Sequence, residues 1–560
     1  MTEGGNASGA IQPIGLAPAW ALACATIALP FLSNLPIDFD HVVPVSLIPA
    51  WWLQRRFAKP SAPNPTDGVD RTLLALAILA TGISLITSAQ PAVSAVAAAS
   101  WLILLYGSWT TRQLVESTAA CRIVFAGVAA GSALGCLVIW ITWHEGTAQN
   151  AIPHYQHIRL FGLHMMVGAL SAMGWLMQAG PRSTERWVAA TIAAVNWGGM
   201  LWSGGRTPWI GVAIAITGWA LVARGVERRT LLRWFPAVFG AGIVLSLFQW
   251  SAEPYLGWWS AIGRSARAAS LDELSSTRVS FWQVSLSEVL HSPWIGHGPD
   301  HYRFIVPKQD GNQPHNWLLQ LMLDVGLVGT LPFGLLLLRQ IARGLHSRSG
   351  VTCPSDARRP AALILAAGLA AGLLDGVLYH AIVLLPMALI AGLAGASRPR
   401  RPQADGGSSP AGRGRMLPTL VLTAAVGTLA LHSYLVARLR LVPVAPHSYT
   451  AYLLRAFPST TSGIERWLNA WRSIDPSMAL EWCRWAQRHN DNPAQLHVYA
   501  AVLLANERDF TRAAAEIEFA ARTAHVRSLG KIMPVQAAIQ AALSAKTNPP
   551  QEEPSPSRRD

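Results

Sequence analysis

Residues able to grip an oxyanion or to move a proton are concentrated in a few places along this chain. Arg159 and Gly162 open one apolar run, and Ser203-Gly204-Gly205-Arg206-Thr207 separates two others. The densest stretch begins at Arg278 and Trp282 and continues through Pro293-Trp294-Ile295-Gly296-His297-Gly298-Pro299 and Arg303 to Pro314-His315-Asn316-Trp317. Gln320, Asp324, Gly326 and Gly329 follow along the start of the next apolar run. An arginine's planar fork holds phosphate or carboxylate oxygens in pairs and stays charged at any working pH. A histidine, with an unperturbed pKa near 6.5, is suited to take or give a proton near neutrality. Pro314 restricts the backbone before His315, and Asn316 is placed to orient the ring by hydrogen bonding. His315, Arg278 and Arg206 are therefore the catalytic candidates, with Arg159, Asn316, Trp282 and Arg303 as substrate-binding candidates.

Each has a plainer reading. Arg206 can anchor a helix end by snorkelling, and an arginine at position 278 is ordinary in a loop. His144, His154 and His157 are too irregularly spaced for a metal site. No DxD motif or carboxylate cluster accompanies the arginines, so neither a metal nor a cofactor is expected. His297 reads as a turn residue between glycines. Asp375 and His380 sit within or beside apolar runs, where ionisable groups draw functional attention, although Asp375 equally suits the turn of a helical hairpin. Cys24, Cys121, Cys136, Cys353 and Cys483 form no CxxC pair, which excludes a disulfide framework and a zinc site from the expectation.

The elements that must hold these residues are membrane helices. The chain has 560 residues, 51% apolar and only 13% charged, against roughly a quarter charged in an ordinary soluble chain. Apolar runs recur at 16–32, 42–54, 72–88, 91–109, 122–143, 160–178, 187–202, 208–222, 234–250, 317–338, 361–374, 377–395 and 416–436. A span needs about 20 residues, which gives an all-α polytopic protein with 12 or 13 transmembrane helices, the run at 42–54 being the weakest. The run from Leu16 has no basic flank before it and reads as a first span, not a cleaved signal. The formal charge of +14 does not point to nucleic acid, because the arginines cluster at the ends of apolar runs, where they hold loops on the cytoplasmic side. That rule places Arg55/Arg56/Lys59, Arg224–Arg233, Arg339–Arg359 and Arg398–Arg415 inside, provided 361–395 forms a hairpin turning near Asp375. The neighbourhoods of 144–159 and Arg206, the loop 251–316 and everything after about 437 then fall outside.

The loop 251–316 is long, and long loops within compact domains are often functional. Val279, Trp282, Leu286, Val289 and Leu290 predict a short amphipathic helix over the membrane domain, ended by Pro293. Beyond 437 the composition turns polar with helical periodicity. Ala500, Leu503 and Leu504 share a face of one helix, Arg508-Asp509-Phe510 forms a tight connection, and Ala513, Ile517 and Ala520 share a face of the next. This spacing resembles a tetratricopeptide repeat, with helices around Trp467, Trp471, Trp482 and Trp485 completing the stack. The domain reading is thus a disordered cytoplasmic N-terminus over 1–15, a membrane domain over 16–436 containing the periplasmic loop 251–316, a tetratricopeptide-like domain over 437–546, and a disordered tail over 547–560. Residues 398–415 are a Gly/Pro/Arg-rich linker.

From Arg278 to Gly329 the sequence resembles the O-antigen ligase and polymerase superfamily of bacterial membrane glycan transferases. An upstream arginine, a glycine-bearing turn and a His-Asn pair at the mouth of a membrane helix recur there in this order. The Ser203–Thr207 turn and Arg159 with Gly162 are similar to further features of that family, and the resemblance covers roughly 70–395. It implies a GT-C-like architecture in the bacterial inner membrane and a donor glycan carried on polyprenyl (undecaprenyl) diphosphate. The acceptor hydroxyl would belong to lipid A core or another glycan or protein. The resemblance also implies arginines that neutralise the departing diphosphate and a histidine that assists the acceptor. With arginines in place of a metal and no carboxylate pair for a double displacement, the transfer is expected to be metal-independent and inverting. Where protein O-oligosaccharyltransferases carry an asparagine-rich pattern this chain has Phe161-Gly162-Leu163-His164-Met165-Met166, which points away from a protein acceptor. A repeat-unit polymerase is the nearest alternative. A flippase or transporter fits less well, for there is no inverted repeat. An assembly scaffold, with the helical tail binding a protein partner, would leave Arg278 and His315 without a role.

Overall fold

The computed structural model describes residues 16–32, 68–114, 118–147, 152, 155, 157–180, 183–248, 251–305, 313–346, 357–396, 468, 475–488, 493–524 and 526–547. The apolar runs at 42–54 and 416–436, the linker at 398–415, both chain ends, His154, Trp467 and Trp471 lie outside the described residues. Every regular element among the described residues is helical, and the chain divides into two compact units.

The first unit contains α1 (Ala17–Leu32), α2 (Gly68–Thr87), α3 (Pro91–Leu114), α4 (Thr118–Thr142), α5 (Ile158–Gln178), α6 (Thr184–Trp202) and α7 (Thr207–Val222). It continues with α8 (Gly225–Phe248), α9 (Gly257–Ala266), α10 (Leu271–Ser275), α11 (Arg278–His291), α12 (Trp317–Leu345), α13 (Arg358–Gly372) and α14 (Ala381–Gly395). Every apolar run that falls on described residues forms one of these helices. Gly68–Thr87, Thr118–Thr142, Ile158–Gln178, Glu227–Phe248 and Trp317–Leu345 are long and apolar enough to cross a membrane, and Ala17–Ala28, Thr207–Val222 and Ile382–Gly395 are apolar but shorter. The protein is an all-α, membrane-spanning protein. The hairpin predicted near Asp375 is present, its turn occupying 373–380 between α13 and α14.

α5 is the centre of this unit and is buried along almost its whole length. In lipid, helices gain little from burying apolar surface against one another, so small residues that let backbones approach become decisive. A Cβ at Gly168 would lie 1.7 Å from Ser132 Oγ of α4, so only glycine permits this approach. α12 is broken at Gly326, whose φ of 61° and ψ of −171° lie outside the helical range. The break frees backbone groups, and the turn after α11 satisfies them. The His297 and Gly298 N–H groups donate to Leu323 O and Asp324 O at 2.7 and 3.1 Å, while Leu327 and Val328 N–H donate to Pro293 O and Trp294 O at 2.8 and 3.1 Å. The Pro293–Pro299 motif is thus a clasp joining α11 to the broken helix.

α11 forms where its periodicity predicts, but with a different buried face. Arg278, Phe281, Ser285 and Val289 turn inward, while Leu286 and Leu290 point out. The register is set by Arg278 and Phe281, which face the turn at Asp375 and the His315 ring, so the outer leucines cannot also face the bundle.

The second unit contains a 3₁₀ turn, His301–Phe304, and the helices α15 (Pro476–Gln487), α16 (Pro493–Asn506), α17 (Phe510–Thr523) and α18 (Val526–Thr547). The predicted loop 251–316 is therefore divided: its helices belong to the first unit and residues 300–313 to the second. Asp475 and Asp509 cap α15 and α17 by accepting from Met478 N and Arg512 N. Consecutive helices pack in pairs, and Ala500, Leu503, Leu504, Ala513, Ile517 and Ala520 are buried between them.

Candidate active site

The candidate residues of the first unit sit at helix N-termini. His157 is the N-cap of α5, its Nδ1 accepting from Arg159 N at 3.0 Å, which places Arg159 in the first turn. Arg206 is the N-cap of α7, Arg278 is the first residue of α11, and His380 is the N-cap of α14. His315 precedes the α12 N-cap, Asn316, whose Oδ1 accepts from Leu318 N and Leu319 N at 3.0 and 3.1 Å. The first turn of a helix presents unpaired N–H groups and the positive end of the helix dipole. Several such ends, each bearing a cationic or titratable residue, make a site for an anion.

Asp375 stands at the centre of this arrangement. Its Oδ2 accepts from Arg278 Nη2 at 2.8 Å, and its Oδ1 accepts from His315 Nδ1 at 3.1 Å and from Gly376 N at 2.9 Å. The carboxylate is 4% exposed. Burial alone would raise its pKa, but the His315 hydrogen bond and the Arg278 charge hold it well below the usual carboxylate range. A carboxylate can only accept, so His315 Nδ1 is the donor in this pair, an arrangement in which the neutral ring presents Nε2 as the acceptor. The ring is fixed from two more sides. Phe281 stacks on it with centroids 6.1 Å apart, and Trp282 Nε1 donates to Pro314 O at 3.1 Å, holding the preceding peptide. His315 itself has a positive φ, 54°, as do Ser276 and Thr277, at 58° and 66°, just before Arg278. Non-glycine residues in this left-handed region are costly and cluster at functional sites.

Arg206 donates to Ser265 Oγ and Ser276 Oγ at 3.3 and 2.8 Å, which ties the α7 N-terminus to α9 and to the turn before α11. Arg264 of α9 donates to Gly204 O at 2.7 Å and to Pro254 O at 2.6 Å, bracing the turn that carries Arg206. Among the described residues the Arg159 side chain has no hydrogen-bond or ion-pair partner. Arg278 retains a buried Nε–H without a partner among the described residues. Burial, then Arg159, lowers the Arg206 guanidinium, and burial, then Arg206 and Arg159, lowers Arg264. Arg278 is also lowered, by burial and by Arg159 and Arg206, with Asp375 opposing. His157 is pushed down to about 4, first by burial and then by Arg159. Arg159, Arg206 and Arg278 thus share one positive neighbourhood, with Asp375 beside Arg278, and Arg264 adjoins it through Arg206 and Arg159.

The structure brings Arg159, Arg206, Arg278 and His315 into one electrostatic neighbourhood from four separate parts of the chain. Trp282 lies there too, as a brace for Pro314. Asn316 does not orient His315: its side chain caps α12, and Asp375 holds the ring instead. Arg303 pairs with Asp300 at 2.6 Å within the second unit. Sequence reasoning passed over Arg264, for which a lone arginine in a loop gives no signal. It weighed Asp375 as a functional residue against a turn residue and did not include it among the site residues, because its partners Arg278 and His315 are distant in sequence.

No curated protein matches the chain. Residues 189–334, which carry Arg206, Arg278 and His315 but neither Arg159 nor Asp375, match the sequence model of the family described as O-antigen ligase, and this match together with the all-α membrane fold supports glycan transfer of that general type.

Proposed function

We propose that the protein transfers a glycan from a polyprenyl-diphosphate donor to an acceptor hydroxyl on the outer face of a bacterial inner membrane, with lipid A core or a related surface glycan as acceptor. The observation that carries this reading is that Arg159, Arg206 and Arg278 share the electrostatic neighbourhood of the His315–Asp375 pair, with Arg264 bracing the turn that carries Arg206. In the proposed step the acceptor O–H attacks the anomeric carbon, the bond from that carbon to the phosphate oxygen breaks, and the proton passes to His315 Nε2. Asp375 keeps Nδ1 protonated and stabilises the imidazolium, the role a carboxylate plays behind a catalytic histidine elsewhere. The leaving diphosphate gains a negative charge as the bond breaks. Guanidinium groups already in place, with helix N-termini behind them, stabilise that charge without reorganising. A single displacement inverts the anomeric configuration. Asp375, tied to Arg278 and His315, is not free to act as a nucleophile, and arginine charge replaces a divalent cation. The arginine-rich loops are assigned to the cytoplasm, the site and second unit to the periplasm, and the paired helices α15–α18 are read as a tetratricopeptide-like surface for a protein partner.

The deciding experiment is reconstitution of the purified protein with a polyprenyl-diphosphate glycan and candidate acceptors, with chelator present throughout. The expected products are one glycan on each acceptor, with inverted linkage, and free polyprenyl diphosphate. Donor chains lengthened in repeat units would instead identify a polymerase. Absence of both products from folded protein across acceptor classes would overturn the reading.

A further inference from the structure

We infer that α11 and the Trp294–Ile295 turn after it lie in the acyl-chain border of one leaflet, so that the helix carrying Arg278 is a lipid-embedded element and not a solvated cover over the bundle. The partner is a lipid surface. This inference does not depend on the proposed reaction.

The outward face of α11 is the first observation. Leu286 and Leu290 stand one helical turn apart, and Trp294 and Ile295 extend their line past the helix end; Leu290 is 71% and Trp294 66% exposed. Their exposed neighbours are Gln283, Ser287 and His291, and no exposed Lys, Arg, Asp or Glu interrupts them. A helix facing water would carry charge there.

Continuity is the second. The backbone of the turn is clasped to α12 at Leu327 and Val328. From that point Val328, Leu331, Leu335 and Leu338 run down α12 as an exposed apolar row, on a helix long and apolar enough to cross a membrane. The α11 row therefore meets the lipid-facing row of a spanning helix without a polar gap.

Height is the third. Asp70 near the start of α2 pairs with Arg339 and Arg343 near the end of α12, marking one edge of the spanning layer. At the far end of α2, Ser84 donates to Asp324 O, and Ser94, hydrogen-bonded to Ser88, donates to Pro299 O. At 1.5 Å per residue, Asp70 to Ser88 and Leu327 to Leu345 each measure about 27 Å. Both approach the roughly 30 Å of a hydrocarbon core. The turn at Trp294 is thus level with the second edge, where tryptophan is favoured.

The test is photolabelling of the wild-type chain in nanodiscs. One phospholipid carries a diazirine near the carbonyl end of its acyl chain and another carries it near the terminal methyl. Peptides spanning 328–338 serve as the internal reference and must be labelled. The shallow probe is expected to label 286–295 at a yield comparable to the reference, and the deep probe to favour 331–338. Two results would overturn the inference. One is labelling confined to the reference while hydroxyl radicals in water oxidise Leu290 and Trp294 freely. The other is protection of 286–295 that disappears when each disc holds one copy, which would assign the face to a second chain.

Discussion

Asp375 illustrates how one residue can carry two requirements. It closes the turn between α13 and α14 through Gly376 N and also joins Arg278 to His315. Removing a partner from a buried ion pair leaves a charge uncompensated, at a cost of about 3–5 kcal/mol, so Asp375→Asn should lower both thermal stability and transfer. His315→Gln separates the two effects, because glutamine can still hydrogen-bond to Asp375 but is not a base. If the ring removes the proton, this variant should lose turnover by roughly 10²–10⁴-fold with donor Kd nearly unchanged. A weakened donor Kd in folded protein would move His315 to a positioning role, and full turnover would remove it from the mechanism. For Arg206 and Arg278 the informative substitution is lysine, which keeps the charge but loses the planar fork. Arg→Ala is expected to cost on the order of 10²–10³ in turnover and Arg→Lys somewhat less. Unchanged turnover in all four variants would reassign both residues to helix anchoring. Arg159, Arg206 and His315 drew attention because each stands beside an apolar run where a charge needs a reason, and Arg278, in the long loop, through the resemblance of the Arg278–Gly329 stretch to a glycan-transferase family. Neither signal could reveal which groups touch. The His315–Asp375 pair joins residues 60 positions apart, and nothing local distinguishes Asn316 as a cap from Asn316 as an orienter.

At the scale of elements, the helices were legible from apolar periodicity because a membrane span writes its length and composition directly into the chain. The break at Gly326 was not, since it depends on a backbone clasp from residues about 30 positions earlier, and the face of α11 was assigned to the wrong side because Leu286 and Leu290 look like core residues until lipid is considered as their surroundings. The start of α5 yields a prediction of its own. His157 caps that helix as a neutral ring, with its pKa pushed down to about 4 by burial and Arg159. In the unfolded chain it titrates near 6.5. Between those values the unfolded state binds more protons, so stability rises with pH and is lost as pH falls from about 6.5 towards 4, by on the order of 3 kcal/mol at most. His157→Asn keeps a good N-cap while removing the titration. Thermal unfolding in detergent should therefore lose much of its pH slope in this window. An undiminished slope in the variant would mean that other groups carry it.

For the molecule as a whole, orientation is the property on which the proposed chemistry depends most, because a donor presented on the outer leaflet cannot reach a site that faces the cytoplasm. Arg224, between α7 and α8, and Arg228 and Arg229, near the start of α8, follow the end of α7 opposite Arg206. The positive-inside rule assigns these three arginines to the cytoplasm in the proposed scheme; a crossing by α7 would then put Arg206 outside, and a crossing by α8 would put α9 and α10 there. The same assignment follows independently from α12, whose C-terminal end carries Arg339 and Arg343 while its N-terminal end carries Asn316. The charge distribution at the ends of both helices therefore supports the proposed orientation. Ser270 and Arg229 are both exposed and sit on opposite sides in this scheme. In intact spheroplasts, Ser270→Cys should react with a membrane-impermeant maleimide above the wild-type background set by Cys24 and the other native thiols. Arg229→Cys should react only after permeabilisation. The reverse pattern would place the site on the cytoplasmic face and exclude an outer-leaflet donor. Reaction of both from one side would mean that α8, the spanning helix between them, does not cross, and the arginine cluster would then need a different route into contact with its substrate.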